Sequence, residues 1–428
     1  MSDTGVTQAR LRLPLVIKLG YVLLGAFWGC WAISLPLVKQ SLHLSDAGLG
    51  WLLAVAVSLG GLGGTVVGRL ARRLPARRMM GLLLGCFGLA SLLPSQCVAI
   101  VPFASCFALA HWLGGCVDAG TDASAAVYLR GQTGSMVRFH ALFNMGCLAG
   151  GGLMLGLVHA GASWRWGWPI VGILAAVLGL VSFFAGEAGL RLDGTDDEVA
   201  TEVVPVEEMV LAEGLAGLDA QVELPASGAR RGAAGSLRAD GLLGFLALFM
   251  LAEVTEGGAF TWGVLFLREH LAAGLLVGAG AYAAGHLVSI VSRLGGGTLL
   301  QRRSVALSLF LGAALCAVGL VTEVCVHSVL LAAVGLALAV IGVSLFWPLV
   351  IAAVSQRATN PAKAVGSFTA SGYVGWVAGA PLVGSLAAHL GLGAGLWLMA
   401  GICVVVCGAV LLGAVPGSRG RLARRRAR

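Results

Sequence analysis

Twelve apolar runs, six on each side of one long polar interval, dominate this 428-residue chain. A membrane-spanning helix needs about 20 mostly apolar residues, and the runs have that length. The predicted spans are 14–37, 47–68, 79–95, 98–127, 139–159 and 167–187, then 241–267, 274–292, 304–322, 328–354, 364–388 and 394–415. The polar interval 189–240 holds eleven of the chain's twenty acidic residues and four basic ones. Charged residues make up only 11% of the chain, against about 25% in soluble domains, so lipid must face most side chains. The expected fold class is an all-α polytopic membrane protein, with twelve transmembrane helices in two pseudo-symmetric six-helix bundles. The expected divisions are an N-terminal segment 1–13, a bundle 14–187, a largely disordered acidic linker 188–240, a bundle 241–415 and a basic tail 416–428. Within the linker, 203–224 can form a short amphipathic helix on the cytoplasmic face.

Lys and Arg set the orientation. With the N-terminus inside, the cytoplasmic segments carry 24 of the 28 basic residues besides Lys18 in the first helical turn, and only Lys39, Arg165 and Arg268 fall outside. Cytoplasmic loops concentrate positive charge, so both termini are expected in the cytoplasm of a bacterial-type inner membrane. The tail RGRLARRRAR then lies against anionic lipid, and the net charge of +8 is not a nucleic-acid footprint. No signal peptide is expected, because 1–12 is polar and the first apolar run is too long.

The halves echo each other. GRLARRLPARR (68–78) follows the second span and SRLGGGTLLQRR (292–303) follows the eighth. Both place R-L at a helix end and paired arginines before the next helix, which makes Gly68, Arg69, Arg73, Arg77, Arg78 and Arg293 gating-loop candidates. Internal repeats of this kind build alternating-access transporters. The ten cysteines show no CxxC or metal-ligand spacing and read as small core residues. There is no Walker motif, HExxH or GxSxG, and no strand precedes the glycine-rich runs. No cofactor, metal or enzymatic activity is expected.

Ionisable groups inside membrane helices are functional candidates by default. The fourth span carries His111, Asp118 and Asp122, seven and four apart and so on one helical face. The seventh carries Glu253 and Glu256, three apart; His286 lies in the eighth and His140 opens the fifth. Desolvation disfavours a carboxylate's charged form and a second carboxylate adds repulsion, so such groups can bind and release protons near neutral pH. Asp118, Glu256, Asp122 and Glu253 are therefore the proton-coupling candidates. Trp28, Trp31, Trp262, Trp347, Tyr373 and Trp376 can stack on a ring or anchor at the interface, and Trp164, Trp166 and Trp168 read as an interfacial belt. Gly60, Gly64 and Gly68, and again Gly146 and Gly150, recur every four residues as packing seams.

These features resemble the major facilitator superfamily. Gly68, Leu70, Arg73, Arg77 and Arg78 match its loop after helix 2, with Arg72 in the place of its Asp and Pro75 near its Gly. More narrowly, the chain is similar to the fucose-permease-like branch, with its uncharacterised bacterial inner-membrane members. The likeness rests on FWGCWAISLP (27–36), LSDAGLGWLL (44–53), CVDAGTD (116–122), RFHALFNMG (138–146) and EGGAFTW (256–262). In these motifs Asp122 replaces Asn and Thr261 stands where Asp is common. The resemblance implies a central cavity lined by helices 1, 4, 7 and 10, with Asp118 as the protonation site and Glu256 facing it. Trp28, Trp31, His111, Asn144, Trp262, Trp347 and Tyr373 are the substrate-binding candidates. The branch's helix 1 carboxylate has no counterpart here, which argues against fucose, and the exporter pattern GPxxGG lacks its Pro at 146–151.

The expected function is secondary active transport of a small organic solute together with protons, by a monomer in the lipid bilayer. Drug or metabolite efflux by proton antiport is the alternative. A membrane-embedded enzyme would need more ligands than His111, Asp118 and Asp122 on one helix supply. A transport-dead sensor or scaffold would use the acidic linker for docking.

Overall fold

The computed structural model describes residues 14–71, 73–129, 133–185, 237–238, 241–301, 305–344, 346–355 and 361–413. The segment 1–13, Arg72, most of the linker with its predicted amphipathic helix, and the tail from 414 lie outside the described residues. The first half comprises α1 (Leu15–Ser41), α2 (Asp46–Gly61), α3 (Gly63–Ala71), α4 (Ala76–Ser91), α5 (Ile100–Tyr128), α6 (Thr133–His159) and α7 (Gly167–Phe184). The second comprises α8 (Leu243–His270), α9 (Leu275–Gln301), α10 (Val305–Cys325), α11 (Val329–Val343), α12 (Phe346–Ser355), α13 (Pro361–Leu390) and α14 (Leu392–Leu411).

Among the described residues nine segments are long and apolar enough to cross a bilayer, and α8 makes a tenth as two pieces bent by 41°. Two shorter apolar helices, Leu275–Val291 and Val329–Val343, fall at the eighth and tenth predicted positions, so all twelve predicted spans are occupied. Besides the bent α8, two of them are broken. The second span is interrupted at Leu62, between the glycine pairs 60–61 and 63–64, where helix propensity is lowest. The tenth is interrupted between α11 and α12. The eighth runs on to Gln301 instead of stopping at 292, which moves Arg293 from the expected loop into a helix.

Helix pairing repeats between the halves. α1 packs along α6 as α8 packs along α13, and α4 packs on α7 as α10 packs on α14. Two cross-half pairs, α2 with α13 and α6 with α9, join the bundles. The α1–α6 seam is made by glycine. Gly25 and Gly29 face the carbonyls of Phe143 and Cys147, while Gly146 and Gly150 face those of Val22 and Ala26. Small residues let membrane helices approach backbone to backbone in this way. The expected tryptophan belt is only partly a belt. Trp166 is 60% exposed, but Trp168 is fully buried and stacks on Trp31, because the first turn of α7 faces the core.

One end of the interface between the halves is closed. Lys39 at the end of α1 lies 2.6 Å from Asp46 at the start of α2 and 2.7 Å from Glu269 at the end of α8. Beside it Gly50 abuts the Ala380–Pro381 backbone and Gly384 abuts the Asp46 carbonyl. Partly exposed ion pairs contribute about 0.2–1 kcal/mol. Lys39→Ala is therefore expected to raise the population open at this end by up to about fivefold, read as a spin-label distance distribution between the ends of α1 and α8. An unchanged distribution would show that glycine packing alone holds this end shut.

Candidate solute-binding cavity

A cavity of about 250 Å³ lies between the halves. Its walls come from α1, α2, α5 and α6 on one side and from α8, α9, α12 and α13 on the other. The expected helices 1, 4, 7 and 10 are present, and helices 2, 5, 8 and 11 line it as well.

On α5, Asp118 accepts a hydrogen bond at 2.6 Å from the hydroxyl of Tyr373 on α13, a bond that crosses between the halves. One turn further on, Asp122 Oδ1 lies 3.9 Å from His140 Nε2, and His140 Nδ1 lies 2.7 Å from the Tyr21 hydroxyl. On α8, Glu253 and Glu256 are one turn apart and both line the cavity. Glu253 is fully buried, and no donor among the described residues bonds its oxygens. A second cross-half network runs from Asn144 on α6 to His286 and Ser289 on α9. His286 Nδ1 lies 2.9 Å from Asn144 Oδ1, and Asn144 Nδ2 donates to Ser289 Oγ at 3.2 Å. Arg293 lines the cavity and donates at 3.3 Å to the carbonyls of His140 and Ser344, one in each half. These bonds hold it inside the protein, away from the loop where sequence placed it.

The aromatic wall is formed by perpendicular rings. Trp28 meets His111 at 4.9 Å and Trp376 at 5.3 Å, while Trp347 meets Tyr373 at 5.6 Å. His111 lines the cavity, and its Nε2 has no hydrogen-bond partner among the described residues. Its Nδ1 lies 3.0 Å from the Phe107 carbonyl, and Phe27 and Phe107 flank its ring. Trp31 lines the cavity from a buried position against Phe107. Trp262 is not among the lining residues; it is fully buried, with its ring edge over Gly384.

Gly68 and Arg69 lie in α3, Arg73 in the following turn, and Arg77 and Arg78 in the first turn of α4. None of these five reaches the cavity. Two cavity residues, Tyr21 and Tyr282, had not been singled out. Tyr21 shares the spacing of three, seven and ten with the lining residues Leu24, Trp28 and Trp31, and that periodicity was available from sequence. Glu323 was missed as well. It is fully buried on α10 behind α8, one residue beyond the predicted span. Among the described residues, no group of three or more His, Cys, Asp or Glu side chains is placed to hold a metal ion.

Two helical bundles with a cavity between them that holds buried carboxyls, closed at one end by cross-bundle contacts, have the form of a membrane carrier. The chain belongs to the Major Facilitator Superfamily, whose model matches residues 18–362, and it is by family a membrane transporter of solutes. It is 23% identical to an uncharacterized MFS-type transporter of Yersinia pestis over 384 residues, covering 86% of this chain and 88% of that one. It is 28% identical to the membrane protein MosC of Rhizobium meliloti over 181 residues, 42% of this chain and 44% of MosC. The fold is similar to that of the nucleoside transporter NupG, with TM-score 0.66 and 14% identity over 94% of this chain and 98% of NupG. It is also similar to an inward-facing, unoccupied bacterial homolog of the lysosomal transporter Spinster, with TM-score 0.69 and 12% identity over 94% and 96% of the two chains. At these identities the structural likeness shows the fold. The narrower fucose-permease-like resemblance rests on the motifs quoted above.

Proposed function

We propose that this chain is a proton-coupled secondary active transporter of a small organic solute, acting as a monomer in a bacterial-type inner membrane with both termini in the cytoplasm. The observation that carries this reading is the meeting of Asp118 from one half with Glu253 and Glu256 from the other in a single cavity between the halves. A carboxylate in a membrane interior is costly unless it is paired or protonated. A change between a wetted and a closed cavity therefore changes its proton affinity, and different proton affinities in two states are what coupling requires. The Tyr373–Asp118 bond spans the halves, so their relative motion and the charge on Asp118 act on each other. By the distribution of basic residues, the end closed by Lys39 and Glu269 is periplasmic, and the halves rock open toward the cytoplasm from the state described. The arginines of the loop after α3 lie at the opposite, cytoplasmic end, where they would gate the opening.

The test is solute-evoked proton movement in proteoliposomes loaded with a pH dye, across sugars, polyols, amino acids, antibiotics and organic cations. A solute that moves protons only in protein-containing vesicles supports the reading. If labelled solutes equilibrate and none moves protons, the chain is a transporter without proton coupling. Tyr373→Phe removes a hydrogen bond to a charged acceptor, worth roughly 1.5–3 kcal/mol. It is expected to lower the proton-driven rate at least about tenfold. A wild-type rate would show that the bond plays no part in the cycle.

A further inference from the structure

We propose that the solute is a compact organic cation, a single ring carrying a protonated amine, which binds at the Glu253–Glu256 pair in exchange for a proton. This rests on the transporter reading and names its substrate class.

The charges lining the cavity are unequal. Four carboxyls, those of Asp118, Asp122, Glu253 and Glu256, face one guanidinium, that of Arg293. Three imidazoles line the cavity as well, and that of His140 lies within ion-pair distance of Asp122. His111 lies against the Phe107 carbonyl, His140 against the Tyr21 hydroxyl, and His286 against the Asn144 amide oxygen. Arg293 donates to the carbonyls of His140 and Ser344. The neutral Tyr373 hydroxyl contacts Asp118. The other titratable groups facing these carboxyls, Tyr282 and Cys147, are neutral in their ordinary form. Glu323 on α10 lies behind α8 and adds no positive charge. The four carboxyls outnumber the one guanidinium, and an ammonium group is favoured at the place where a carboxylate or phosphate would be repelled.

The walls select the rest of the molecule. Trp28 and Trp376 meet edge to face, as do Trp347 and Tyr373, and all four rings line the cavity that holds the acidic pair. Aromatic faces attract a cation within about 6 Å. The volume of about 250 Å³ falls below the roughly 300–1,000 Å³ of drug-sized pockets, which favours one ring over extended polycyclic cations.

The exchange balances without a covalent step. When the ammonium binds, one proton leaves the carboxyls for the side to which the cavity is open; when the ammonium leaves, a proton returns. Binding therefore weakens on acidification, by up to about tenfold per pH unit for one competing proton. A neutral solute carried together with a proton would show the opposite sign.

The experiment is calorimetric titration of the purified full-length protein with 2-phenylethylamine, 2-phenylethanol and 3-phenylpropanoate, extended to other single-ring amines and their matched alcohols, between about pH 6 and pH 8. The amines are expected to bind at least about tenfold more tightly than their alcohols and the carboxylate. Their affinity is expected to fall on acidification. Glu253→Gln and Glu256→Gln should each erase most of the amine preference. The wild-type comparison needs no variant, so a variant that fails to fold leaves the test standing. Amine and alcohol affinities that match, or tighter amine binding in acid, overturn the proposal. The same ligands in dye-loaded vesicles separate it from the reading beneath it. A neutral solute that moves protons where amines do not sinks the cation proposal and keeps the transporter. Competitive, pH-dependent amine binding without any flux keeps the site and sinks the transport reading.

Discussion

Asp118→Asn is expected to abolish proton-driven solute accumulation, by at least about a hundredfold, while sparing exchange of solute between the two sides of the membrane. Asn matches Asp in shape and can still accept the Tyr373 hydrogen bond, but it cannot take up or release a proton. Coupling needs a group whose proton affinity differs between the two facing states, and the substitution removes that difference at one site. Exchange with solute on both sides needs only reorientation of the halves, which the substitution leaves possible. Parallel assays in one vesicle preparation, pH-driven uptake and counterflow, separate the two processes. Full accumulation by Asp118→Asn would remove Asp118 from the coupling mechanism. Loss of both activities would make it a residue of the solute site or of folding.

The sequence was legible where the membrane imposes the rule. Lipid offers no hydrogen bonds, so each crossing must be a helix that satisfies its own backbone, and an apolar run of sufficient length shows it. An ionisable residue in such a run stands out for the same reason, and Asp118, Asp122, Glu253 and Glu256 do line one cavity. Partners were not legible, because they come from the other half. Tyr373 is 255 residues from Asp118, and His286 is 142 from Asn144. Arg293 was misplaced because counting basic residues treats a positive charge at a helix end as loop. In the folded chain its guanidinium takes two carbonyls in different halves. Trp262 was drawn into the site by its motif, but the bend in α8 falls between it and Glu256. The interruption at Leu62 was written in the glycines around it and was read instead as one continuous packing stripe.

Gly150→Ala is expected to lower the thermal unfolding midpoint of the purified protein by several degrees and to cut the yield of monodisperse protein, whereas Gly152→Ala does neither. A Cβ built on Gly150 falls inside the contact distance of the Ala26 carbonyl. That neighbour is backbone, so no side chain can rotate aside and α1 and α6 must move apart. Overpacking costs about 1–3 kcal/mol where neighbours can adjust, and a rigid carbonyl puts this site at the upper end. Gly25, Gly29 and Gly146 interlock along the same seam, so a displacement at one is carried to the others. It also reaches the cavity, because α1 presents Tyr21 and Trp28 there while α6 presents His140 and Asn144. Gly152 lies on the same helix with nothing within 4 Å of a built Cβ, and exchanging it for Ala improves helix propensity by roughly 1 kcal/mol. The pair thus separates close approach from the general effect of a glycine replacement. Equal midpoints for the two variants would mean that the α1–α6 contact tolerates a methyl group and that the cavity wall does not depend on backbone contact between these helices.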